Sequence, residues 1–446
     1  MALVCHRMST RISSFLRSSS RSKAPSLAAS AASSRNAGSE AEAGTDCSHR
    51  PSLAQADNMT DIGLRSIFTP EHDMIRASMR RFYQEEAVPH YLQWEKNGIF
   101  DREIFEKAGA QGYLGCSVPE ELGGPGGDFL TEIIFSEEAY YAHCQSLHGL
   151  FVQNHLVIPY LLLFGTPEQR DHYLPQVCSG KMIGCLAMSE PAAGSDVQGL
   201  KTYAREDGDD LIINGSKVFI TNGTSSDIAI VATVTNREAE RASHGISLVL
   251  LEASDKGFHK GQNLRKVGLK GADTGELFFE DVRVPKCRIL GEVNKGFVYM
   301  MQNLPLERLV VAGWSQSHSE KMFEITREYV KERKAFSRRI ADFQVIQHKL
   351  AEMKTEICVN RAFVDNCLNL YQQTNHIDPV SASMCKYKSS DMEMRVADAC
   401  LQMHGGWGYM QEMPIARSFV DARPQSIYAG TNEIMKELVA RSVVRH

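Results

Sequence analysis

Apolar positions change their spacing twice along this chain, and the changes divide it. From about residue 61 to 183 they recur at mixed intervals of three and four, as in "DMIRASMRRFYQEEAVPHYLQWEKNG", which stops at Asn97-Gly98. "DFLTEIIFSEEAYYAHC" follows the same rule after the glycine-rich break "LGGPGGD". Such intervals keep one stripe of a helix apolar, so the spacing predicts an N-terminal helical domain over 61–183. From 184 to 291 the texture becomes short β-branched and aromatic runs between turn dipeptides: "DLIINGSKVFITNG", "DIAIVATVT", "GISLVLLE" and "GELFFEDVRVP". These predict the strands of a small β-barrel or sandwich, with Asn214-Gly215 as a hairpin turn because both residues tolerate positive φ. From 292 to 446 long amphipathic patterns return, "SEKMFEITREYVKERKAF" and "QHKLAEMKTEICVNRAFVDNCLNLYQQ" among them. The predicted architecture is an α+β multidomain chain: helices, β-barrel, helical bundle.

Residues 1–60 stand apart. Before Glu40 they carry Arg7, Arg11, Arg17, Arg21, Lys23 and Arg35, many Ser and Ala, and no Asp or Glu. That is the composition of an organellar transit peptide with a polar linker behind it, and it points to the mitochondrial matrix; a tail without an address is the other reading.

Composition narrows the function classes. The 446 residues are 43% hydrophobic and 23% charged with a net charge of -5, which suits two or three ordinary globular domains and leaves no cationic footprint for nucleic acid. Eleven cysteines occur singly without CxxC, there is no HExxH, and His143, His148 and His155 lack a ligand spacing, so neither a metal site nor a disulfide framework is expected. No apolar run is expected to reach the ~18 residues that span a bilayer. "LGGPGGDFL" has the wrong spacing for a dinucleotide-binding turn and lies between helices.

Several segments offer chemistry. "MSEPAAGSD", 188–196, sits where helix gives way to strand and supplies hydroxyls and amides close to a ligand, or is a simple Pro/Gly turn. In "KVFITNG", 217–223, Phe219 is core or an aromatic platform, and Thr221 a strand-end hydroxyl or a ligand. The glycines of "QMHGGWGYM", 402–410, admit a phosphate or merely join two helices.

Taken together and in order, "EELGGPGGD", "MSEPAAGSD", "INGSKVFITNG", "GLKGADTGELFFEDVRVP", "ERKAFSRRIADFQ", "QMHGGWGYM" and "IYAGTNEIMKEL" resemble the acyl-CoA dehydrogenase family, from about residue 60 to the end. The resemblance implies a helical domain, a β-barrel and a C-terminal four-helix bundle, with FAD between barrel and bundle and a homotetramer as the assembly. It implies that Leu186, Ala187, Met188, Ser189 and Ser195 lie along the flavin, Ser195 also near the CoA portion, and that Phe219, Ile220 and Thr221 pack on and bond to its ring. Arg333, Phe336, Phe343, Gln344, Gln402, Gly405 and Gly406 resemble the set that reaches across a dimer to the neighbour's FAD, with Thr431 and Glu433 at the phosphate end. The substrate set implied is Ser195, Pro305, Leu306, Arg308, Ala429 and Gly430.

The implied reaction takes a proton from C2 and a hydride from C3 of an acyl-CoA thioester in fatty-acid β-oxidation, electrons passing to electron transfer flavoprotein. It needs a carboxylate in a dry pocket and donors on the thioester oxygen. Many members of the family carry the base where this chain has Ala429; a minority place it early in the C-terminal domain, and "NLPLERLVVAGW" resembles that arrangement, which makes Glu307 the candidate base. Helical spacing puts Glu307 with Val310 and Trp314, on an apolar face, and Arg308 off it. A surface Glu-Arg pair is the alternative that spacing alone leaves open. Ala429 then keeps its backbone N–H for the thioester oxygen and leaves room for the carboxylate, while Pro305 bends or starts the helix. "IYAGTNEIMKELVAR" resembles the long-chain members, whereas Leu147 and His148 are bulkier than those members tend to be, which suits an isovaleryl-type, shorter or branched chain. An acyl-CoA oxidase and a non-catalytic assembly factor on the same fold are the rival classes.

Overall fold

A computed structural model describes residues 65–444. The transit peptide and linker expected over 1–60 lie outside the described residues.

The first domain is built from helices whose starts are written in their caps. Helix α1, Pro70–Phe82, opens on a reciprocal capping box between Thr69 and His72, and the next are α2, Tyr91–Asn97, and α3, Glu103–Ala110. Asp128 caps α4, Phe129–Tyr141, which is buried almost all round. Helices α5, His148–Val152, and α6, Ile158–Phe164, are joined by a π-helical turn over Gln153–Val157. Pro159 explains it: proline has no N–H for the preceding turn and its ring crowds the carbonyl four residues back, which a widened turn accommodates. Helix α7, Pro167–Cys178, closes the domain on a second capping box at Thr166. By length and composition alone Gln145–Phe164 is apolar enough to cross a membrane, contrary to expectation. With 72% of the stretch buried, it is the core helix of this domain.

Eight strands follow: β1 Gly184–Ala187, β2 Tyr203–Asp207, β3 Asp210–Thr221, β4 Ile228–Val234, β5 Ile246–Glu252, β6 Phe258–Asn263, β7 Thr274–Pro285 and β8 Ile289–Leu290. They pair in the order β6-β7-β3-β2-β4-β5-β8, with β1 parallel to β4 off that path. The terminal strands β6 and β8 do not pair, so the ladder is an open sheet where a closed barrel was expected. Asn214-Gly215 does not make the expected hairpin. The strand runs through it with a register shift between Ile213 and Gly215, because both flanks pair with β7. Gly215 sits at φ +148, and a Cβ there would lie 2.4 Å from Thr202 Oγ1. The hairpin turn is Gly208-Asp209, between β2 and β3.

The last domain is helical again: α8 Gly296–Glu332, a short hairpin of β9 Lys334–Ala335 and β10 Arg338–Arg339, then α9 Gln344–Thr374, α10 Pro379–Met403, α11 Pro414–Ala422 and α12 Asn432–Val444. Helix α8 is its spine, packed on α10 along most of its length and on α9 and α4. One apolar core joins the first domain to this bundle, with Tyr140, Phe151, Trp314 and Leu368 all in it. Glu137 of α4 sits under the same junction and accepts from Arg65 and Arg76 at 2.8 Å and from Arg361 of α9 at 3.3 Å. Their charges hold its carboxyl well below the usual carboxylate range despite burial.

Candidate active site

Glu307 lies about a third of the way along α8, 4% exposed, in line with Val310 and Trp314, which are 1% and 3% exposed. The surface-pair alternative is thereby removed. Its Oε1 accepts from Asn303 Nδ2 at 3.0 Å and from the Tyr160 hydroxyl of α6 at 3.3 Å. Burial lifts its pKa to about 7; the Asn303 bond, the Arg308 charge and the Tyr160 bond pull the other way and lose. A carboxyl poised there exchanges protons near neutrality. Pro305 stands well inside α8, so it does not start the helix; the helix begins at Gly296 and runs past it. Leu306 and Arg308 are buried beside it.

Arg308 leaves the Glu307 face and donates from Nε to the Ala429 carbonyl at 3.2 Å, which ties α8 to the loop before α12. Ala429 adopts φ +53 and Gly430 φ +92. A left-handed alanine is uncommon and costs roughly 1 kcal/mol, so the loop is held from outside. Lys386 of α10 does much of the holding: fully buried, it donates to the Gly430 carbonyl at 2.8 Å and to Asn432 Oδ1 at 3.0 Å. Burial, with Arg308 nearby, lowers its pKa to about 7. Among the described residues, neither the Ala429 nor the Gly430 N–H donates to another backbone group. A buried carboxyl and two such amides make a site able to take a proton from one atom while donating to a neighbouring oxygen. Two turns further along α8 from Glu307, Trp314 stands in an aromatic wall, with the His148 ring 5.0 Å from Trp314 and 5.2 Å from Tyr428. Burial drops the His148 pKa to about 4, so this wall is uncharged at neutral pH.

The other predicted residues fall into two groups on one chain. Leu186 and Ala187 end β1, and the loop from Met188 is pinned to β3: Lys217 Nζ donates to the Met188 carbonyl at 3.0 Å and pairs with buried Glu190 at 2.8 Å, and Val218 N–H reaches the Ser189 carbonyl at 3.0 Å. That brings the loop beside Phe219, Ile220 and Thr221, while Ser195 is exposed farther along it. Phe219 is 68% exposed at φ +61, an aromatic ring displayed where a core role would have hidden it. The second group gathers at the far end of the bundle. Arg333, Gly405 and Gly406 line a cavity of about 470 Å³ with Tyr329, His404 and Trp407. A Cβ on Gly405 or Gly406 would meet nothing within 4 Å, so that cavity has room at its backbone. Phe336, at φ +52, and the exposed Gln344 and Gln402 stand nearby in the chain, with Phe343 6.1 Å from the Phe336 ring. Thr431 and Glu433 stand apart from both groups, at the start of α12 directly after Gly430, the Thr431 hydroxyl accepting from the Ile434 N–H at 3.4 Å. A displayed ring beside one loop and an amide-lined cavity with an arginine fit the ring and the charged end of a flavin dinucleotide. The cavity contains none of the β-domain residues, so one chain does not bring the two groups together.

Sequence reasoning missed Asn303, Tyr160 and Lys386. Asn303 stands one turn before Glu307 and so carried a signal in its spacing; Tyr160 and Lys386 come from other helices and carried none.

Comparison with known proteins identifies the family. Residues 69–181, 185–282 and 294–444 match the N-terminal, middle and C-terminal domains of acyl-CoA dehydrogenase. The chain is 55% identical over 403 residues to a long-chain specific mitochondrial acyl-CoA dehydrogenase of Sus scrofa, covering 89% of this chain and 93% of that one. It is 35% identical over 374 residues to a mitochondrial isovaleryl-CoA dehydrogenase of Pongo abelii, covering 83% and 88%. The crystal structure of an acyl-CoA dehydrogenase from Geobacillus kaustophilus superposes with a TM-score of 0.83 at 44% identity, covering 84% of this chain and 99% of that one.

Proposed function

The chain belongs to the acyl-CoA dehydrogenase family, and from that premise we propose that Glu307 is the base of a FAD-dependent α,β-dehydrogenation of acyl-CoA thioesters in fatty-acid β-oxidation. The observation that carries the reading is a buried carboxyl, raised to about 7, on a helix tied to a loop with two undirected amides.

Glu307 takes the C2 proton of the thioester, and the Ala429 and Gly430 amides donate to its carbonyl oxygen as charge builds there. Arg308 and Lys386 hold that loop in its left-handed turn. The aromatic wall and the apolar neighbours on α8 exclude water, which keeps Glu307 basic enough for a weakly acidic C–H. FAD, when bound, accepts the C3 hydride; Met188, Ser189, Phe219 and Thr221 are assigned to its ring. Arg333, Phe336, Gln402, Gly405 and Gly406 are assigned to the FAD of a second copy, which makes the enzyme an oligomer, a homotetramer in our reading. Electron transfer flavoprotein is the proposed acceptor and the mitochondrial matrix the proposed compartment, in keeping with the mitochondrial relatives.

The 55% identity against 35% supports long straight acyl chains over isovaleryl-type ones. One observation favours the second reading: His148, Trp314 and Tyr428 form a cluster of rings two turns along α8 from Glu307. Anaerobic titration of the holoprotein with thioesters of graded length and branching, followed by flavin absorbance, decides between them. In the same assay Glu307→Gln is expected to stay yellow and lose bleaching, its turnover falling roughly 10²–10⁴-fold. Bleaching at the normal rate would place the base elsewhere.

A further inference from the structure

The two donors on Glu307 share one oxygen. Asn303 Nδ2 and the Tyr160 hydroxyl both end on Oε1, at 3.0 and 3.3 Å, and among the described residues no hydrogen bond reaches Oε2. They come from different elements: Asn303 from the preceding turn of α8, 2% exposed, and Tyr160 from α6, fully buried. A carboxyl gripped at one oxygen from two directions cannot rotate about its terminal bond without breaking both contacts.

We propose, building on the reading of Glu307 as the base, that Asn303 and Tyr160 are positioning residues that fix the plane of its carboxyl and reserve Oε2 as the atom that takes the C2 proton. The proton passes from carbon to Oε2 while Oε1 keeps both its donors, so no hydrogen bond has to break during the transfer. Two further consequences follow from the same contacts. Both donors favour the carboxylate over the acid, so each works against burial, which alone would leave the base protonated at neutral pH. And Tyr160 is itself held to its phenol form by burial and by the carboxylate it faces, so it donates throughout the working range. The charged and titratable groups bearing on Glu307 are Tyr160 from α6 and Arg308 from its own helix; Arg308 in turn helps lower the pKa of Lys386 of α10.

The test uses the FAD-loaded enzyme and the variants Asn303→Leu, which keeps the branched shape and loses the donor, and Tyr160→Phe, which loses one hydroxyl. A shift of one pH unit is a tenfold change in the proton equilibrium, the scale of one hydrogen bond to a charged group. The acid limb of kcat/KM is therefore expected to move up by about one unit in Asn303→Leu and by less, in the same direction, in Tyr160→Phe, whose contact is longer. The infrared carboxyl stretch that disappears in Glu307→Gln is expected to titrate with the same shifts. A uniform fall in turnover with the limb and the band unmoved overturns the proposal. If Asn303→Leu does not fold, Tyr160→Phe carries the test by itself. Glu307→Gln run alongside separates two failures. Persistent flavin bleaching in that variant removes the base reading, whereas loss of bleaching with unmoved limbs removes only the positioning role.

Discussion

Glu307 sets two opposing demands at one residue. Its folded pKa of about 7 lies above the ordinary 4.5, so the folded state binds the proton that the unfolded state releases between those values. Stability from this group is therefore full below pH 4.5 and lost as pH rises through 7, while its basicity appears only as pH rises. The span corresponds to on the order of 3 kcal/mol. Glu307→Gln is expected to melt higher than the parent at pH 8 and at the same temperature near pH 4.5, a gap that thermal denaturation at the two values measures. An equal gap at both would mean the carboxyl is not buried in its charged form. Spacing put this residue in line with Val310 and Trp314 but left a surface Glu-Arg pair open; the resemblance of "NLPLERLVVAGW" to the family singled it out. Its setting was not legible: Tyr160 lies far back in the chain, and only the packing of α6 on α8 brings its hydroxyl within reach.

Helix α8 carries a second feature at the scale of the element. Gly313 is buried, yet a Cβ there would meet no atom within 4 Å. Glycine inside a helix costs about 0.5–1 kcal/mol relative to alanine. Gly313→Ala is therefore expected to raise stability by about that amount, read as a higher midpoint in urea at unchanged slope; a lower midpoint would show that the open space belongs to a neighbour's motion. The elements as a whole were legible where periodicity was long, as in α8 and α9. They were misread where local turn chemistry met a longer-range partner. Asn214-Gly215 is a good hairpin dipeptide, but pairing with β7 on both sides made it a bulge, and the true turn fell at Gly208-Asp209. Short β-branched and aromatic runs between turn dipeptides foretold strands in the middle domain; they hold no information on whether the first and last of them meet, which is how an open sheet was read as a barrel.

At the scale of the whole molecule, the order of helical domain, sheet and bundle followed from changes of spacing, whereas the distance between the two groups of cofactor residues did not, since nothing in one sequence encodes a partner's position. Phe336 at 90% and Tyr409 at 82% exposure are large rings left in water at the bundle end beside Arg333 and Gly405. We expect a second copy to cover them. Phe336→Asp is expected to shift the assembly toward smaller species in sedimentation and to release flavin; an unchanged assembly that keeps its flavin would mean the ring serves neither.

If, as proposed, two copies share each cofactor, its retention obeys mass action in the protein itself: dilution releases flavin into solution, concentration takes it up again, and the protein-bound fraction becomes a gauge of association.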